Sequence, residues 1–113
     1  MITKRKDVAL ITEIRQFVEE NYNKDISVEL LCKKFGLNRT KLQGGFNQLF
    51  GLPIHAFLSG IRMDKARSML TLTEESIKVI ARECGYKSTS SFTRAFTRSQ
   101  NISPGQYRQQ MLA

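Results

Sequence analysis

Ser90, Thr93, Arg94 and Thr97 stand at i, i+3, i+4 and i+7, so on a helix of about 3.6 residues per turn they share one face. Three hydroxyls around one guanidinium give a surface that donates and accepts hydrogen bonds, with no nucleophile–base pair and no carboxylate couple. A guanidinium so placed can pair with the O6 and N7 edge of guanine, and hydroxyls can serve any base. The other face carries Phe92, Ala95 and Phe96, apolar groups that would hold the helix on a core. The chemistry this suits is recognition in a DNA major groove.

A reading helix needs a support that fixes its angle. Just upstream, Ile77, Ile80, Ala81 and Cys84 repeat the i, i+3, i+4, i+7 spacing of a buried helix face. Gly85 follows, where a chain leaving a helix often needs positive φ, cheap only for glycine. Helix, glycine turn and second helix make a helix-turn-helix over Ser76–Arg108.

The same grammar occurs upstream, over Ser27–Pro53. Ser27 answers Ser76, Leu31 answers Ile80, Gly36 answers Gly85, Leu42 answers Phe92, Phe46 answers Phe96 and Pro53 answers Pro104. Two copies are too few for a solenoid and suit two reading heads. In the first, Ser27 is expected to cap a helix burying Leu30, Leu31 and Phe35, and Asn38 to cap the next. Leu42, Phe46, Leu49 and Phe50 fall on one side of that second helix. Thr40, Gln43, Gly44 and Asn47 fall on the other, toward the groove, with Arg39 and Lys41 flanking them for phosphates. Gly44 occupies the place Arg94 holds in the second copy. Followed by Gly45, it reads either as a bare patch allowing close approach to DNA or as tight packing with weaker readout.

Between the heads, Pro53 fits the first position of a helix running to about Thr71. Ile54, Phe57, Leu58, Ile61, Ala66, Met69 and Leu70 are its expected packed positions. Nineteen residues at 1.5 Å each span about 28 Å, close to one turn of B-DNA at about 34 Å. Ahead of the first head, Asp7 can cap a bracing helix to about Tyr22, with Leu10, Ile11, Ile14, Phe17 and Val18 as its apolar stripe and a basic lead-in over Met1–Lys6. Beyond Phe96, Arg98 suits a DNA phosphate, and Ser103 and Pro104 start a last helix with Tyr107 and Met111 turned inward. The parts are residues 1–52 (bracing helix and first head), 53–72 (central helix) and 73–113 (second head and last helix), forming one functional domain over 7–111.

From Arg62 onward the chain resembles the signature of the AraC/XylS family of bacterial transcription regulators. Arg62, Ala66, Arg67 and Leu70 begin it. Ser76, Ile77, Ile80, Ala81, Gly85 and Tyr86 continue it, and Ser91, Phe92, Arg94, Phe96, Ser103, Pro104, Tyr107 and Arg108 complete it. The resemblance covers about Asp7–Met111. It implies an all-α fold of seven helices, with two helix-turn-helix units joined by a long central helix. It also implies promoter binding, activation through contact with RNA polymerase, and an effector-binding, dimerising domain elsewhere in the regulator. Arg62 resembles the family's phosphate-facing arginine. Asn101 stands where the family usually has glycine, a mild departure because asparagine tolerates the left-handed conformation.

Composition agrees. The 113 residues carry a net charge of +8. Residues 7–25 are acidic on balance, while the chain from Lys33 onward holds thirteen bases against Asp64, Glu74, Glu75 and Glu83, the footprint of a nucleic-acid binder. Cys32 and Cys84 stand in no CxxC pattern and read as small buried hydrophobes, and His55 as a helix residue. No active site, metal site or cofactor is expected. No apolar run approaches the roughly 18 residues of a membrane helix, and the expected setting is the bacterial cytoplasm and nucleoid. Thr97 joins Arg39, Lys41, Asn47, Arg62 and Arg98 as an expected backbone contact. Ser90, Thr93, Arg94, Thr40, Gln43 and Gly44 are the expected base contacts. Two rivals are a helical protein-interaction module that kept the fold without DNA specificity, and a fragment of a DNA-repair enzyme, which would need a cysteine-rich partner domain.

Overall fold

The computed structural model describes residues 4–112; residues 1–3 of the expected lead-in lie outside them. Seven helices follow one another: α1 (Arg5–Glu20), α2 (Val28–Phe35), α3 (Arg39–Phe50), α4 (Ile54–Leu72), α5 (Ile77–Glu83), α6 (Thr89–Gln100) and α7 (Pro104–Leu112). No strand occurs among the described residues, so the all-α expectation is met. The chain forms two compact units, one ending at Ser59 and the other beginning at Gly60, both within α4.

In the first unit, α1 packs on α2 and α3. Ile11, Ile14 and Val18 of α1 meet a core that includes Leu31, Leu37, Leu42 and Phe46, all buried. Asp7 does not cap α1. The helix starts three residues earlier with Lys4 as its N-cap, and Lys4 contributes no side-chain cap. Asp7 sits in the first turn, 6% exposed, because its carboxylate meets Lys41 at 3.2 Å. Ser27 and Asn38 cap as expected, Ser27 Oγ accepting the Leu30 N–H at 3.0 Å and Asn38 Oδ1 the Lys41 N–H at 2.8 Å. Leu30, expected inside, is 45% exposed, and Leu49 is exposed too. Both lie at the margin of an apolar face, where neighbouring helices no longer cover it. The rings of Phe50 and Phe57 flank Phe46, and the Arg15 guanidinium lies 4.6 Å from the Phe50 centroid, closing this edge with a cation–π contact.

In the second unit, Met63, Ala66 and Leu70 of α4 join Ile80, Ala81, Cys84, Phe92 and Phe96 in one buried cluster. Each large side chain so enclosed contributes roughly 1.5–3 kcal/mol. Met63 was not among the expected core positions, while Ile61 and Met69 are only half-buried. Tyr107 packs edge-on against Phe96 with centroids 5.4 Å apart, as expected of an inward tyrosine. Met111 does not turn inward; it is 55% exposed, since the last turn of α7 extends past its support.

The helix ends explain why the two heads share a pattern. Ser76 Oγ caps α5 through the Val79 N–H, and Ser88 Oγ caps α6 through the Ser91 N–H. Gly85 has φ +96, and the N–H groups of Gly85 and Tyr86 reach back to the carbonyls of Arg82 and Ala81, closing α5 in a Schellman turn. The second helices of the two heads end alike, α3 at Gly51 with φ +79 and α6 at Asn101 with φ +66. Pro53 stands one place before its expected position: its carbonyl accepts the first helical N–H, from Phe57. Pro104 opens α7 beside a reciprocal box, Gln106 N–H to Ser103 Oγ and Ser103 N–H to Gln106 Oε1.

Candidate nucleic-acid interface

Phe92 and Phe96 are fully buried, and they fix which face of α6 looks outward. Ser90, Arg94 and Thr97 are exposed on that face, with Thr93 half-buried beside them. The structure therefore presents together the residues that spacing had grouped. Arg98 is exposed on the next ridge. Neither Arg94 nor Arg98 joins an ion pair among the described residues. From Cys84 to the end the sequence contains no Asp or Glu, so nothing on α6 or α7 neutralises these two guanidinium groups.

The first head is different. Thr40, Gln43 and Asn47 are exposed on α3, Gly44 is half-buried and Gly45 is buried. Packing accounts for Gly45. Gly44 instead borders an open hollow of about 320 Å³ shared with Gln43, Asn47 and His55, which fits a bare patch. The cations flanking this face are both engaged. Arg39 meets Glu29 of α2 at 2.6 Å on the surface, where hydrogen bonding and the guanidinium charge hold the Glu29 carboxyl below its usual range. Lys41 meets the buried carboxylate of Asp7.

Three signature arginines also have local tasks. The Arg62 guanidinium lies 5.3 Å from the centre of the Tyr86 ring. Arg108 donates from Nε to the Leu70 carbonyl at 2.9 Å and from a terminal nitrogen to the Thr73 carbonyl at 3.2 Å. It thus satisfies carbonyls that the end of α4 would otherwise leave open. Arg67 pairs with Asp64 one turn away. Cys84, wholly enclosed, has its thiol pushed up to about 11 by burial, which makes it inert rather than nucleophilic at neutral pH. No helix among the described residues is long and apolar enough to cross a membrane.

Sequence reasoning missed Asp7 and Glu29 as partners of Lys41 and Arg39, and Arg108 as a helix cap. One signal was present for Asp7: stepping back four from Ile11 along the stripe Ile11, Ile14, Val18 reaches it. An acid on a buried stripe calls for a cation.

A helix-turn-helix domain model matches residues 31–110. The chain belongs to the AraC-type helix-turn-helix family. This is a family of DNA-binding transcription regulators, not of enzymes. The transcriptional regulator MtrA of Neisseria gonorrhoeae is 33% identical over 89% of this chain, which spans 32% of that protein. The xylose operon regulatory protein of Escherichia coli is 30% identical over 87% of this chain, which spans 25% of it. The chain thus covers about a third or less of these two relatives. Among solved structures, the C-terminal domain of AraT, a response regulator from Geobacillus stearothermophilus, superposes with a TM-score of 0.85 at 28% identity, over 89% of this chain and 84% of that one.

Proposed function

We propose that this AraC-type domain binds a specific double-stranded promoter site through α3 and α6 and thereby regulates transcription. The observation that carries the proposal is the outward face of α6, where Arg94 and Arg98 stand without a carboxylate partner among the described residues, beside Ser90, Thr93 and Thr97. Ser90, Thr93 and Arg94 contact bases, with Arg94 on a guanine, and Thr40, Gln43 and the backbone at Gly44 contact bases from α3. Arg39, Asn47, Arg62, Thr97 and Arg98 reach the sugar–phosphate backbone. The 19 residues of α4, about 28 Å of helix at 1.5 Å per residue, support reading by α3 and α6 in successive major grooves. Activation through RNA polymerase, from within the bacterial cytoplasm, belongs to the same proposal. So does a further effector or dimerisation domain, suggested by the greater length of the relatives.

The test is fluorescence anisotropy on duplex DNA across a salt series. Neutralisation of roughly six phosphates gives a slope of log K against log salt near −5. A slope near zero would remove DNA binding from the account and leave the protein-interaction reading in its place.

A further inference from the structure

Asp7 is a buried charge with a specific task. Its side chain is 8% exposed, and its carboxylate oxygen lies 3.2 Å from the Lys41 ammonium, whose side chain is 41% exposed. Lys41 belongs to the first turn of α3, and its own N–H is tied to Asn38 Oδ1. The pair therefore joins the bracing helix α1 to the start of the first recognition helix. Removing the cation would strand a buried carboxylate, which is far more costly than breaking an exposed pair. The neighbouring pair, Arg39–Glu29, is the contrast. Both of its side chains are mostly exposed, at 59% and 72%, so a phosphate can replace Glu29 at little cost.

We infer that Asp7 is a positioning residue of the first reading head: it pins Lys41 against α1 and withholds that ammonium from the DNA backbone. The inference rests on the DNA-binding reading and adds to it a built-in asymmetry, with one cation of α3, Lys41, retained by the protein and another, Arg39, released to DNA. Lys4 and Lys6 line the same hollow of about 180 Å³ as Asp7 and Lys41. If either took over Asp7 when DNA arrives, Lys41 would be freed and the inference would fail.

The experiment compares salt slopes on one duplex for the parent, Asp7→Asn, Asp7→Asn/Lys41→Met and Glu29→Gln, with circular dichroism confirming the fold. Asp7→Asn removes the charge and keeps the shape, so Lys41 becomes available to a phosphate. Its slope should steepen by about 0.9, which adds roughly a threefold loss of affinity between 50 and 200 mM salt. The double variant should return to the parent slope, and Glu29→Gln should leave it unchanged. An Asp7→Asn slope equal to the parent's would overturn the inference. So would a double variant flatter than the parent, because Lys41 would then be holding a phosphate already; this arm stands even if Asp7→Asn alone folds poorly. A steeper slope for Glu29→Gln would refute the distinction drawn from burial. A parent slope near zero would instead refute DNA binding itself.

Discussion

Replacing Arg108 by methionine separates a structural arginine from a DNA-binding one. The substitution keeps an apolar stem of similar length and removes the guanidinium that donates to the Leu70 and Thr73 carbonyls at 2.9 and 3.2 Å. A net hydrogen bond from a charged donor contributes about 1.5–3 kcal/mol, the longer bond falling at or below the low end. A cation at a helix C-terminus adds up to about 1 kcal/mol. Allowing for the half-exposed position of Arg108, the expected loss is about 2–4 kcal/mol. For a domain of this size each kcal/mol moves Tm by about 4–8 °C, so a fall on the order of 10–30 °C should appear by circular dichroism, in the transition that reports the second unit. Arg108→Lys, with one compact donor group, should recover less than half. The DNA salt slope of Arg108→Met, measured well below its Tm, should match the parent's. A stability loss under about 1 kcal/mol, or a slope flatter by one phosphate at unchanged stability, would refute the assignment of Arg108 to the end of α4.

Other expectations follow from the same geometry. Arg94→Ala should lose about 1–3 kcal/mol of binding to a specific site and relax preference at one base pair, and Gln43→Ala should lose less because Gly44 offers no side chain beside it; competition titrations with single-base variants of the site measure both. Burial raises the native Cys84 thiol from 9.0 to about 11. Because the folded value is the higher one, the stability it contributes is complete below about pH 9 and is lost as pH rises toward 11. In a thiol-reagent assay at pH 8, half-buried Cys32 should react first and Cys84 only at the rate of unfolding; prompt reaction of both would contradict the packing of Cys84. At Asn101, with φ +66, a valine should cost about 1–2 kcal/mol in urea denaturation while glycine stays within about 1 kcal/mol of the parent.

What the sequence made legible was whatever depends on neighbours along the chain. Ser27 and Asn38 cap because a short polar side chain before an apolar run can satisfy an N–H three residues on. Gly85 turns left-handed because the chain must leave α5 there. The outward face of α6 followed from the same periodicity that buries Phe92 and Phe96. Long-range pairing was not legible. Asp7 looked like a cap because capping residues and buried acids share one chemistry, and only Lys41, thirty-four positions away in the sequence, decides between them. Arg108 likewise finds its carbonyls 38 and 35 residues back. Periodicity also sets the direction of an apolar face but not its covered width, so Leu30, Leu49 and Met111 were placed inside while Met63, set between Arg62 and Asp64, was overlooked.

The central claim is that α3 and α6 read a DNA sequence, with Arg94 as the foremost contact. Selection of bound duplexes from a randomised pool, run in parallel with the parent and Arg94→Ala, tests it most directly. The account predicts that the parent enriches one defined site, and that the Arg94→Ala pool keeps the site but loses the preference for guanine at a single position. Failure of the parent to enrich any sequence, or an identical site from both proteins, would contradict it.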